Sequence, residues 1–309
     1  MRGTRLLGAT PSFIVVSVVA GGFQRVAQSQ YWNTWCTPSD LAVYQQQPPG
    51  GVSWDPLSAY LDSLIPAFGT CFGYSFSPTT SAQSQDGAHF DLVLDPQCQG
   101  GAHTSTAFGP YGVSLSPDAV INDFAGVRWF WFYLLSIHEL SNVWAAYRAQ
   151  GWPWADGSPL WKGSSPFPNM TDIVILGEAG RSDLSQIQRG RMTSDPAVML
   201  LLSLQESHGW SLYQSLFRQA TDSGIDDWRK YDEPLRSAIL VWFLSSGAGK
   251  TAGTGLLPRF NDMFQKLSGK TIPSDAYATA QSMFPHVASS APSRPWARFL
   301  SSIRSLFHF

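Results

Sequence analysis

The spacing of apolar positions divides the chain into two stretches of different character. "HFDLVLD" (89–95) and "YGVSLS" (111–116) alternate apolar and polar residues, the period of a half-buried strand. Around them residues 30–116 are broken by "QQQPPGG" (45–51) and "SPTTSAQSQDG" (77–87), and they read as irregular and strand-rich. From Ser116 the pattern turns helical. Ser116-Pro117-Asp118 has the form of a helix start, and the aromatic run 127–147 that follows stops at Gly151. Further helices are expected over 169–180, with Asn169 as N-cap and Asp172 completing a capping box, and over 195–207 and 211–221. Three more are expected, from Pro234 to a stop at Gly247 and over 256–267 and 274–283. This order predicts an α+β fold: a small N-terminal β-sheet packed on the 127–149 helix, then a helical C-terminal subdomain. The divisions expected are 1–29, 30–150, 151–285 and a tail 286–309.

Composition narrows the class. Charged residues are 14% of the 309, against about a quarter in ordinary soluble proteins, and 13 are Trp, which points to a densely packed protein. A net charge of −2 gives no general attraction to nucleic acid, which is therefore not an expected partner. At the N-terminus Arg2 and Arg5 precede an apolar core at 13–20 and small residues around Ala27 and Ser29. That is the layout of a secretory leader cleaved near residue 29, although Arg25 is out of pattern. The core falls short of the roughly 20 residues that span a bilayer, and nothing later is longer, so no integral membrane segment is expected in a secreted mature chain. Cys36, Cys71 and Cys98 would allow one disulfide with one thiol left over, and are too widely spaced for a CxxC zinc site. Asn169-Met170-Thr171 is a glycosylation sequon.

The chemistry centres on "YLLSIHELSNVWAAY" (133–147). On a helix His138 and Asn142 share a face, while Glu139 is offset by about 100°. Two imidazoles at this spacing hold zinc in an HExxH motif, with the Glu as general base on the metal-bound water. Here the second imidazole is replaced by Asn142, which offers only an amide oxygen. Glu139 lies in a run apolar on every side, where an unpaired carboxylate would cost several kcal/mol. A third ligand is expected from the following helix, in "TDIVILGEAG". Glu178 is favoured, with Asp172, which has a capping role of its own, and Asp156 as alternatives.

"IHELSNVW", the acid-bearing helix after it and the helical tail resemble the catalytic half of gluzincin metallopeptidases. "LLSLQESHGWSLYQSLFRQATDSG" and "LRSAILVWFLSSGAGKT" are similar to the helical subdomain of the enhancin-like, mucin-directed group. The similarity spans roughly 111–268, and within it only the His-Glu pair is chemically diagnostic. It implies a zincin-like fold, a zinc ion (Zn²⁺) held by His138 and Glu178, Glu139 as general base, and a peptide or glycoprotein substrate. Asn142 departs from the pattern. The alternative is a non-catalytic secreted protein on the same scaffold that binds carbohydrate or protein. The Trp residues at 152, 154 and 161 would either stack on sugar or form a loop core. "SSGAGKT" (245–251) lacks the first glycine and the strand of a phosphate loop and reads as a helix end, and "GYSFS" and "GVSLS" miss the last glycine of a nucleophile elbow. His103 reads as a turn residue and His208 as the end of a helix.

Overall fold

A computed structural model describes residues 22–46, 54–73, 85–98, 102–103, 113–116, 130–154, 158–162, 165–250, 253–285 and 287. The fold is α+β. Strands β1 (Gln24–Gln28), β2 (Trp32–Cys36), β3 (Phe90–Leu94), β4 (Ala102–His103) and β5 (Val113–Leu115) form one sheet in the order β1-β2-β3-β5-β4. The three central strands are parallel and both edge strands antiparallel. The alternation in "HFDLVLD" has a direct outcome. Phe90, Leu92 and Leu94 face the main core with Trp32, Cys36, Val113 and Leu115, while Val93 packs with Trp35 and Phe23 on the other side.

That second face is polar and ordered by hydrogen bonds. Trp35 Nε1 donates to Asp91 Oδ1 at 2.7 Å, and Asn33 Nδ2 donates to Asp86 Oδ2 at 2.8 Å. Arg25 stacks its guanidinium 5.8 Å from the Trp35 ring centroid and donates to Asn33 Oδ1. Its place in the leader-like segment is thereby explained: Arg25 belongs to β1. Cleavage near residue 29 would remove that edge strand. Residues 1–21, with the apolar core of the expected leader, lie outside the described residues.

The strand-rich reading of 30–116 needs correction, because two helices occur there. α1 (Pro38–Tyr44) is capped by Thr37, whose hydroxyl accepts from the Asp40 amide. α2 (Trp54–Phe72) buries Leu57, Tyr60, Leu61, Leu64, Ile65, Phe68, Cys71 and Phe72, a stripe at helical spacing. Pro66 within it hides the signal; it is tolerated on the exposed face. Asp62, one turn earlier, accepts from Ser29 Oγ and from the Gln30 and Tyr31 amides, and so fastens the β1–β2 turn to α2.

The rest is helical: α3 (Phe130–Arg148), α4 (Pro166–Glu178), α5 (Ser182–Arg191), α6 (Pro196–His208), α7 (Ser211–Asp222), α8 (Glu233–Gly247), α9 (Leu257–Ser268) and α10 (Ser274–Met283). Asp195 and Asp232 cap α6 and α8 through their carboxylates. α4 starts at Pro166, so Asn169 is in its first turns rather than at a cap, and Asp172 is interior. α5 was not foreseen, since only Leu184 and Gln188 of its ten residues are buried and no apolar stripe announces it. In the sequon Thr171 is fully buried and donates to the Pro168 carbonyl.

One core joins sheet and helices. Phe217 lies at its middle, with ring centroids 4.2 Å from Trp144, 5.1 Å from Trp152, 5.6 Å from Phe167 and 5.8 Å from Phe72. Trp152, Trp154 and Trp161 are all buried, so this cluster packs the interior. Cys36, Cys71 and Cys98 are free buried thiols, and no two are bridged into the disulfide that the sequence allows. Among the described residues no helix is long and apolar enough to cross a membrane.

Candidate functional site

α3 packs against β4 and β5 on one side and α4 on the other. From Phe132 to Ala145 every side chain is buried except Leu135, His138 and Asn142, which are half-buried. These three positions form one stripe of the helix, so the pair that the sequence placed on a common face is also its most open edge. Glu139 borders that stripe, one helical turn from Leu135 and from Asn142. It is 9% exposed and lies on the sheet side, where its charge acts on Cys98, which follows β3. Burial, with Asp95 and Glu139 adding to it, pushes the Cys98 thiol up to about 11, so it stays protonated and unreactive at neutral pH.

The partner of His138 is Asp172. Its Oδ2 stands 3.4 Å from His138 Nδ1, with the histidine side chain 25% exposed and the carboxylate 3%. Burial raises the Asp172 carboxyl above its ordinary range, opposed by hydrogen bonding and charge from His138 and by the Gln188 carboxamide. Beside this contact the hydroxyls of Ser141 and Thr171 hydrogen-bond across the same helix pair, one donating to the other while the acceptor's own proton goes to its helix backbone. A polar seam of four residues thus fixes the rotation of α3 against α4 within an apolar core.

Glu178 does not join this seam. It ends α4 on the exposed surface, about 9 Å along the helix from Asp172, and its charge acts instead on buried Cys71. Asp156 and the side chain of His103 lie outside the described residues. Among the described residues no group of three or more His, Cys, Asp or Glu side chains is placed to hold a metal. Asp172 was detectable by the signal that singled out Glu139, an acid inside an apolar run, but the capping explanation concealed it. Ser141, Thr171 and Gln188 carried no comparable sign.

Near the seam, Tyr60 donates to the Tyr133 carbonyl at 3.0 Å, and the Arg181 guanidinium lies 4.5 Å from the Tyr133 ring centroid while pairing with Asp183. His208 ends α6 away from this region. Burial, then the charges of Lys250 and Arg259, lower its pKa, which disfavours a cation at this helix terminus. "SSGAGKT" begins as the end of α8, with Gly249 in the left-handed region at φ 67°.

No protein-family model and no curated protein matches the chain. Among solved structures, a functionally unknown conserved protein from Bacillus anthracis str. Ames, crystallised as a mutant, is similar at a TM-score of 0.49 and 14% identity. The match covers 83% of this chain and 50% of that one, so the chain spans about half the length of its neighbour.

Proposed function

We propose that the chain is a secreted hydrolase on a zincin-like scaffold, acting on peptide or glycoprotein substrates at the His138 edge of α3. The contact between His138 Nδ1 and Asp172 Oδ2 is the observation that carries this reading. A carboxyl oxygen on Nδ1 favours the tautomer with its proton there, which makes Nε2 the basic, ligating nitrogen. The open stripe adds the amide oxygen of Asn142 one turn away.

This donor set suits a divalent cation such as zinc in part. Zinc in a catalytic site takes three protein donors, usually imidazole, thiolate or carboxylate, and His138 with Asn142 supplies two. A complete site requires a further donor, from the residues beyond those described or from a rearranged Asp172. A bound cation would supply a water acidic enough to lose its proton near neutral pH. Glu139, 9% exposed, is the base in this reading.

The test is metal analysis and turnover of casein or a mucin-type glycopeptide by the wild type, His138→Ala and Glu139→Gln. Stoichiometric metal is expected in the wild type and in Glu139→Gln but lost from His138→Ala, with both variants inactive. Absence of metal from the wild type, with turnover unchanged in His138→Ala, would overturn the reading. The second reading, a non-catalytic binding protein on the same scaffold, is favoured by Asn142 and the short donor set. Trp152, Trp154 and Trp161 would not form its carbohydrate platform, because they are buried.

A further inference from the structure

Asp172 spends one carboxyl oxygen on His138. Its other oxygen, Oδ1, is buried without a hydrogen-bond partner, and so is Oε1 of Gln188 on α5. Asp172 is 2% exposed and Gln188 3%. Ser185, three residues before Gln188 on the same face of α5, donates to the Ile173 carbonyl at 2.7 Å, which sets that face against the turn of α4 carrying Asp172. The Gln188 carboxamide is a hydrogen-bonding neighbour of the Asp172 carboxyl. Two buried acceptors left over in one place are each paying their full desolvation cost. The carboxamide nitrogen is the atom of Gln188 that can serve Oδ1, and the lowering effect of Gln188 on the Asp172 carboxyl is that of a donor. Packing alone does not account for a glutamine here, since an apolar side chain would fill the position at lower cost.

We infer that Gln188 is a positioning residue: its amide nitrogen donates to Asp172 Oδ1, holding Oδ2 on His138 Nδ1 and turning Nε2 toward the open stripe of α3. Three helices thereby act on one imidazole: α3 supplies it, α4 orients it, and α5 steadies the orienting carboxyl. The inference rests on the reading of His138 as the reactive group, but its test does not require metal to bind.

The tautomer of His138 is read by long-range ¹H–¹⁵N NMR on metal-free full-length protein at neutral pH, with His138→Ala identifying its signal among the six histidines. The wild type is expected to hold the Nδ1–H form. Gln188→Met, which keeps the volume and removes the donor, should give a mixture of tautomers, as should Asp172→Asn. The double variant should be no worse than Asp172→Asn alone, because Gln188 acts through Asp172. Calorimetric zinc titration should show affinity lowered about 10- to 100-fold in Gln188→Met, the usual range for loss of an outer-shell partner. A wild-type tautomer in folded Gln188→Met would overturn the inference. Should that variant fail to fold, Gln188→Asn, whose amide falls short of Oδ1, is measured the same way, and an unchanged tautomer again refutes it. A wild type that holds the Nδ1–H form yet takes up no zinc would sink the metal reading and leave the role of Gln188 standing.

Discussion

Asp91 and Asp86 meet on the outer face of the sheet and are pushed in opposite directions. Burial raises Asp91, outweighing the hydrogen bonds it accepts from the Gln85 amide and Trp35. For Asp86 burial is also the largest single effect and acts upward, but hydrogen bonds from Asn33, Ala88 and His89 together exceed it and bring the carboxyl well below its ordinary range. The signs for stability follow. Asp91 binds its proton more tightly in the folded chain, so its contribution is present below the ordinary carboxylate range and is lost as pH rises through its raised value. Asp86 contributes above the ordinary range and loses that contribution as pH falls through its lowered value. Asp91→Asn should therefore remove part of the stability loss on the alkaline side of the carboxylate range, as seen in urea midpoints taken across pH. An unchanged slope there would show that Asp91 is not the group responsible.

Among the elements, α2 differs most from its sequence reading. Its apolar stripe repeats at helical spacing, and Pro66 alone interrupts it. An interior proline costs about 3 kcal/mol relative to alanine in a helix, offset by about 1 kcal/mol through the entropy it removes from the unfolded chain. Because Pro66 faces solvent, Pro66→Ala should stabilise the protein by about 1–2 kcal/mol in chemical denaturation. A loss of stability would mean that Pro66 helps to seat Trp32, whose Nε1 donates to the Leu61 carbonyl at 3.0 Å. The helices foreseen from caps and stops, α6 and α8, begin where expected because Asp195-Pro196 and Asp232 act within a single turn. α4 did not. Its start at Pro166 is set by packing, with Phe167 stacked on Trp154 at a centroid distance of 4.6 Å.

For the molecule as a whole, Phe217 joins the aromatic core across several elements, touching rings from α2, α3, α4 and the Trp152 loop. Phe217→Ala should cost about 3–5 kcal/mol in urea unfolding, the range for deleting a buried ring that its neighbours cannot refill. A cost under about 1 kcal/mol would show that the two halves do not share a rigid core. The sequence by itself determined the succession of helices α6 to α10, the alternation of β3 and β5, and the common face of His138 and Asn142. All of these follow from spacings within one element, which helix and strand periods dictate locally. It also marked Glu139 as an acid in apolar surroundings, while Asp172 read as a cap. Only the tertiary structure decided which of the later acids reaches His138. Asp172 does and Glu178 does not, because the choice depends on how α4 is rotated against α3. That rotation is set by long-range packing of Phe167, Trp144 and Phe217 and by the Ser141–Thr171 contact, none of which any single segment encodes.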